Sequence, residues 1–208
     1  MRILVVLLLL AGPALAAEDR CLGVDPKAST PLSEATKTTD CHVRMSATGY
    51  PLPDPDCTPG AVNPTVTANV LRNPAFRTHC VRDGATTPAQ KQSVYAAYGI
   101  TKPKNNSGNN QTCEIDHLVS IELGGADTLD NQWPQCGPPG VALKKRWFKI
   151  KDLVENTLAK GIKTEGDEPA QAQHGIAEDW SQYVLAATAV APNSVPQRSG
   201  RRSKPRLP

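Results

Sequence analysis

The segment from Cys113 to Gln135, CEIDHLVSIELGGADTLDNQWPQ, sets an acid beside an imidazole and follows them with a Gly-Gly pair and an Asn. Asp116 offers a hard oxygen ligand for a divalent cation. His117, whose unperturbed pKa is about 6.5, is the side chain best suited to take a proton from water near neutrality. That is the equipment of metal-assisted hydrolysis. Asn131 stands fourteen positions after His117. Gly124 and Gly125 permit backbone angles closed to other residues, so the chain can leave one strand and return in a second with Asn131 beside the imidazole. Neighbours in a regular strand point to opposite faces, so Asp116 and His117 can share a site only where the strand ends or bulges.

The run DHLVSIELGGADTLDNQWP resembles the HNH branch of the His-Me finger nucleases, with Asp-His, a few apolar residues, Gly-Gly, Asn and then a helix. PDPDCTPGAVNPTVT, HCVRDG, KDLVENTLAKG and AQHGIAEDW look like the remaining blocks of a group of small secreted HNH-like bacterial proteins, over roughly residues 53 to 185. The resemblance implies an α+β fold: a ββα-metal core with flanking helices and an irregular, disulfide-stapled N-terminal region. It also implies hydrolysis of phosphodiester bonds in DNA or RNA. His117 would deprotonate the attacking water, and Asn131 would fix the imidazole or the surrounding loop through its amide. A divalent ion held by Asp116, Mg²⁺ with Mn²⁺ or Zn²⁺ as alternatives, would neutralise the phosphate and stabilise the departing 3′ oxygen.

The sequence departs from that pattern where the family takes an Asn or His ligand from the first turns of the helix. In KKRWFKIKDLVEN the positions from Phe148 to Lys151 hold Phe, Lys, Ile and Lys, and an ammonium cannot ligate a cation. Asp152 is the expected substitute ligand, with Glu155 and Glu114 as further carboxylates in reach. Lys149 and Lys151 are expected to grip the substrate phosphate instead. The expected function is thus an exported, metal-dependent endonuclease of little sequence specificity, acting on nucleic acid and needing no protein partner. The alternative is a catalytically weak or inactive protein that keeps the scaffold to bind nucleic acid or another polyanion.

Residues 1 to 16, MRILVVLLLLAGPALA, carry one Arg, a short apolar run and Ala14-Leu15-Ala16, the pattern of a secretory signal peptide. The run is too short for a membrane span, and no later segment has the roughly eighteen apolar residues a span requires. The mature chain is therefore expected to be periplasmic or secreted. Residues 191 to 208 read as a disordered basic tail, since QRSGRRSKPRLP holds five cations, no acid and little to bury. Setting aside Arg2 and those five leaves 17 basic against 20 acidic residues, so the body is slightly acidic.

The 19 prolines and 4% aromatic content imply much irregular chain around a modest core. Such cores need staples, and the six cysteines, Cys21, Cys41, Cys57, Cys80, Cys113 and Cys136, read as three disulfides in an exported chain. Pairing in chain order gives Cys21 with Cys41, Cys57 with Cys80, and Cys113 with Cys136, the last closing the loop that bears Asp116, His117 and Asn131. No Cys-x-x-Cys pair is present, which argues against a zinc knuckle.

Residues 17 to 56 read as an irregular disulfide-tied arm and 57 to 190 as the HNH-like domain. Val62, Val66 and Val70 suggest short strands. Thr87-Pro88-Ala89-Gln90 carries the signals of a capping box and opens a helix that ends at Gly99 and buries Val94, Tyr95 and Tyr98. Residues 101 to 112 read as a polar surface loop. Leu143, Trp147, Ile150, Val154 and Leu158 mark the core face of a helix from Val141 to Lys160, and Ile176, Trp180 and Val184 that of a last helix over 169 to 190.

Overall fold

The computed structural model describes residues 21–82 and 87–190. The expected signal peptide and basic tail lie outside the described residues. The chain is a mixed α+β structure of short antiparallel pairs and helices. In chain order the elements are β1 (Thr30–Pro31), β2 (Arg44–Met45), β3 (Pro51–Leu52), β4 (Ala61–Val62), α1 (Ala68–Arg72), α2 (Pro88–Ala97), β5 (Cys113–His117), β6 (Gln132–Cys136), α3 (Trp147–Lys160), α4 (Pro169–Asp179) and α5 (Val184–Val190). Short 3₁₀ turns connect several of them. Among the described residues, no helix is long and apolar enough to cross a membrane.

The N-terminal region pairs β1 with β4 and β2 with β3, two residues at a time. Pairings so short cannot hold a sheet by themselves, and covalent links and burial do the work here. Cys21 is bonded to Cys80, Cys41 to Cys57 and Cys113 to Cys136. The first two bonds differ from the chain-order pairing. Val24 and Leu52 enter the same core as Val81, which draws Cys21 toward Cys80. The backbone N–H of Cys41 donates to the Ala97 carbonyl at the end of α2, which sets Cys41 beside Cys57, Tyr98 and Trp133 instead. The arm is therefore built into the core. Pro51 accepts a hydrogen bond from the Trp180 indole at 2.8 Å, and the Tyr50 ring meets that indole edge-on.

The stretch expected to be extended around Val70 is the helix α1, because the Thr67 hydroxyl accepts the Val70 N–H and caps it. Helix α2 starts at the Thr87 and Gln90 capping box, buries Val94, Tyr95 and Tyr98, and stops where Gly99 takes a φ of +62°. The last helical segment is interrupted: Asp179 leaves helical geometry and its carboxylate accepts from both the N–H and the hydroxyl of Ser181, splitting α4 from α5. Ile176, Trp180 and Val184 are nonetheless all buried.

Helix α3 carries the most informative departure. A 3₁₀ turn over Leu143–Lys145 precedes it, and its inward residues are Phe148, Lys151, Val154 and Ala159. Of the expected apolar face, Val154 is fully buried and Ile150 and Leu158 pack against the core, while Leu143 and Trp147 are only partly buried. A fully buried lysine takes one of its core positions.

Candidate functional site

β5 and β6 form a regular antiparallel ladder from Cys113 opposite Cys136 to His117 opposite Gln132. The disulfide ties the pair at one end, and the 118–131 loop closes the other. No bulge interrupts the ladder. The strand simply ends at His117, after which the Leu118 N–H donates to the Asn131 carbonyl at 2.8 Å.

The loop owes its shape to Asn131 and two glycines. The fully buried Asn131 carboxamide oxygen accepts from the N–H groups of Val119 (2.9 Å) and Ala61 (3.3 Å), and its nitrogen donates to the carbonyls of Val119 (2.9 Å) and Ala126 (2.8 Å). Two donors and two acceptors exhaust the amide. Of the two tasks expected for Asn131, the geometry assigns it the loop, and nothing is left for the imidazole. Gly124 adopts a φ of +90°, and a Cβ on Gly125 would lie 1.9 Å from the Val119 carbonyl oxygen. Only glycine fits at this second position.

His117 is held by residues other than Asn131. Its Nε2 lies 2.8 Å from the Asp127 carboxylate, to which the Gln132 amide also donates at 2.8 Å. A carboxylate accepts only, so Nε2 carries the proton in this contact; the Gln132 amide nitrogen, 3.2 Å from the same Nε2, gives its hydrogen to Asp127 instead, and in the neutral ring Nδ1 keeps the lone pair. Asp127 and Gln132 were not singled out by the sequence reading. A functional histidine needs an orienting partner, and that requirement would have directed attention to the acids of the loop that follows it.

Asp116 belongs to a different set of contacts. The ammonium of Lys151 lies 2.9 Å from its carboxylate, donates to the His117 carbonyl at 2.7 Å and contacts Glu155. Lys151 is wholly buried; it donates to the His117 carbonyl and to Glu155, and it forms an ion pair with Asp116. It cannot reach a phosphate, contrary to the expectation placed on it. Burial acts to lower its proton affinity, yet the Asp116 and Glu155 carboxylates outweigh that and hold it above the ordinary lysine range. Glu155 moves up as well: burial drives it, Lys151 opposes, and the Asp116 charge adds to it. Lys149 is likewise engaged, 2.7 Å from Asp152 and 3.9 Å from Glu114.

Asp116 and His117 border one cleft of about 690 Å³ although their side chains serve different partners. Their side chains are 11% and 13% exposed, so both are recessed. Glu114, Glu122, Asp152 and Glu155 complete an acidic floor. Burial pushes Glu114 up, the Asp116 charge adds to this and Lys149 opposes it. Burial raises Glu122 in the same way, opposed by Lys163. Arg82, Lys91, Tyr95 and Lys102, from α2 and the flanking loops, line the same cleft and make its basic wall.

A divalent ion finds hard oxygen donors here but not a converged set. Asp116 and Asp152, the expected ligands, each lie against an ammonium. Among the described residues, the one group of three candidate ligands within 4.8 Å is Cys21, His79 and Cys80. Its two sulfurs are joined to each other, so it offers no thiolate. The cleft residues do not fit a preformed divalent-metal site.

Comparison of the chain with protein-family models, curated proteins and solved structures returned no match. Three disulfides in an α+β chain of modest core fit an oxidising compartment outside the cytoplasm.

Proposed function

We propose that this protein is an exported phosphodiester hydrolase of the His-Me finger type, an endonuclease acting on DNA or RNA, with His117 as the general base. The observation that carries the reading is the Asp127–His117 contact: a carboxylate fixes one imidazole nitrogen, and the other keeps its lone pair on a residue bordering a cleft. The strand–loop–strand of β5 and β6 with α3 packed against it supports the ββα reading.

In the mechanism, Nδ1 of His117 takes a proton from the attacking water. Asp127 stabilises the imidazolium that forms and keeps the ring from turning. Lys151 holds the His117 backbone and the Asp116 carboxylate to α3, so the base sits on a rigid strand end. A divalent ion would supply charge neutralisation at the phosphate; because the carboxylates are not arranged as a closed site, no step is routed through one.

A second reading has its own support. The carboxylates and lysines of α3 are spent on one another, which suits a scaffold that binds polyanions without cutting them. The oxidised protein, incubated with a labelled single-stranded oligonucleotide and with supercoiled plasmid in Mg²⁺, Mn²⁺ or chelator, separates the two. Cleavage lost in His117→Ala and in Asp127→Asn, by about 10²- to 10⁴-fold for the base itself, is the expected result. A mobility shift with no cleavage in any condition would establish the binder, and activity surviving in chelator would remove the ion from the mechanism.

A further inference from the structure

Five cations stand on or near the cleft, and they divide into two kinds. Lys149 and Lys151 on α3 are committed to carboxylates. Arg82, Lys91 and Lys102 line the same cleft, are exposed and form no ion pair among the described residues. Exposed cations along the cleft of a recessed base make a phosphate track, since each neutralised phosphate releases condensed counterions.

Both parts of the wall are held in place. Lys91 stands four residues before Tyr95 on α2, on the same helical face, and the Thr87 and Gln90 capping box fixes the first turn of that helix. The loop carrying Lys102 is pinned by Asn106, whose side chain accepts from the N–H groups of Thr112 (2.7 Å) and Cys113 (3.1 Å) and donates to the Cys113 carbonyl (2.7 Å). Lys102 lines the cleft together with Cys113, the first residue of the strand that ends in His117.

The dimensions choose between two forms of nucleic acid. A cleft of about 690 Å³ lies within the range of roughly 300–1,000 Å³ typical of pockets that enclose small molecules. That is room for a short length of one strand. A duplex, with a persistence length of about 50 nm, resists sharp bending over a short site, and that elastic cost is a penalty for bringing its backbone down to a base that is 13% exposed. A single strand is flexible enough to enter.

Resting on the hydrolase reading of the same cleft, we propose that the substrate is single-stranded nucleic acid, and that Arg82, Lys91 and Lys102 on the wall hold its backbone while the α3 lysines do not. The strand runs between wall and floor, with one phosphate brought down to His117.

The test is a binding measurement that does not depend on cleavage. Oxidised His117→Ala protein is titrated into a fluorescein-labelled single-stranded 12-mer and into its duplex, with anisotropy followed over a KCl series. Single strand is expected to bind about tenfold or more tightly than duplex, and Lys91→Glu/Lys102→Glu to lose about tenfold or more of that affinity. The milder Lys91→Gln/Lys102→Gln should flatten the salt slope by about 1.4, two phosphate contacts at roughly 0.7 each. Lys149→Ala should change affinity by less than about twofold, its charge being already paired. Equal or tighter duplex binding, no binding to either form, or an unchanged affinity in both wall variants overturns the proposal. All wall substitutions are at exposed positions, and a thermal melt verifies that each variant is folded. Protein that binds single strands by the wall but never cuts keeps this inference and loses the hydrolase reading; protein that cuts but prefers duplex does the reverse.

Discussion

The two sides of the cleft use the same residue type in opposite ways. Beneath the floor, Lys151 is a structural cation: buried, and joining Asp116, Glu155 and the His117 carbonyl into one cluster. On the wall, Lys91 and Lys102 are exposed and have no ion-pair partner among the described residues. A lysine's role follows from how many acceptors its surroundings place within reach before any substrate arrives. Charge counted along the chain does not distinguish the two sides.

The sharpest way to break this contrast is Lys151→Met. It leaves two carboxylates recessed without their cation and should cost about 3–5 kcal/mol in chemical denaturation, as breaking a buried pair does. A loss under about 1 kcal/mol would place Lys151 with ordinary surface lysines. The pH dependence has a definite sign. Burial holds Glu155 above the ordinary carboxylate range, so its protonation as pH falls removes a charge that the variant leaves without its cation, and the variant's deficit should shrink toward lower pH.

Opening the Cys41–Cys57 bond with Cys41→Ser/Cys57→Ser comes next. It spans 16 residues, and loop closure of that length contributes about 3 kcal/mol. The bond backs Tyr98 and Trp133 beneath α2, so this variant loosens the wall while leaving the Lys151 cluster in place. Affinity for single strands should fall more than the stability of β5 and β6 to hydrogen exchange.

Lys149→Ala occupies the middle ground. Its partners Asp152 and Glu114 are about one-third exposed, and a pair of that kind contributes about 0.2–1 kcal/mol. Lys91→Gln/Lys102→Gln is the smallest in stability, within about 0.5 kcal/mol, because both side chains are exposed and have no ion pair to lose among the described residues. Differential scanning of the three lysine sites should therefore return a descending series. Any inversion would reverse the assignment of floor and wall.

Several of these features were legible in the chain. The strand–loop–strand path follows from Gly124 and Gly125, which the structure uses for a left-handed turn and a close backbone approach. The Thr87 and Gln90 capping box was visible because its hydrogen bonds are local. The Cys113–Cys136 bond was within reach for a related reason, since its two residues sit opposite one another on strands joined by one loop.

What escaped depends on partners distant in sequence. Periodicity treats lysine as outward, so the core position that Lys151 holds on α3 is not legible, whereas Asp116 and Glu155 supply the charges that let it point inward. Cys21 reaches Cys80 across 59 positions through core packing that no local pattern encodes. Asp127 gave no signal of its own, one acid among several in the loop, until the imidazole was seen to lean on it.

Asn131 joins stretches of backbone that are otherwise separate: Ala61 in β4, Val119 just past β5, and Ala126 beyond the glycine turn. These segments cannot come apart one at a time without stranding a buried amide. The peptide protons of Ala61 and Val119 should therefore exchange with deuterated solvent at a common free energy of opening, as one cooperative unit. Asn131→Ala would split that shared event into independent, faster ones, and the strand end that bears His117 would breathe with them.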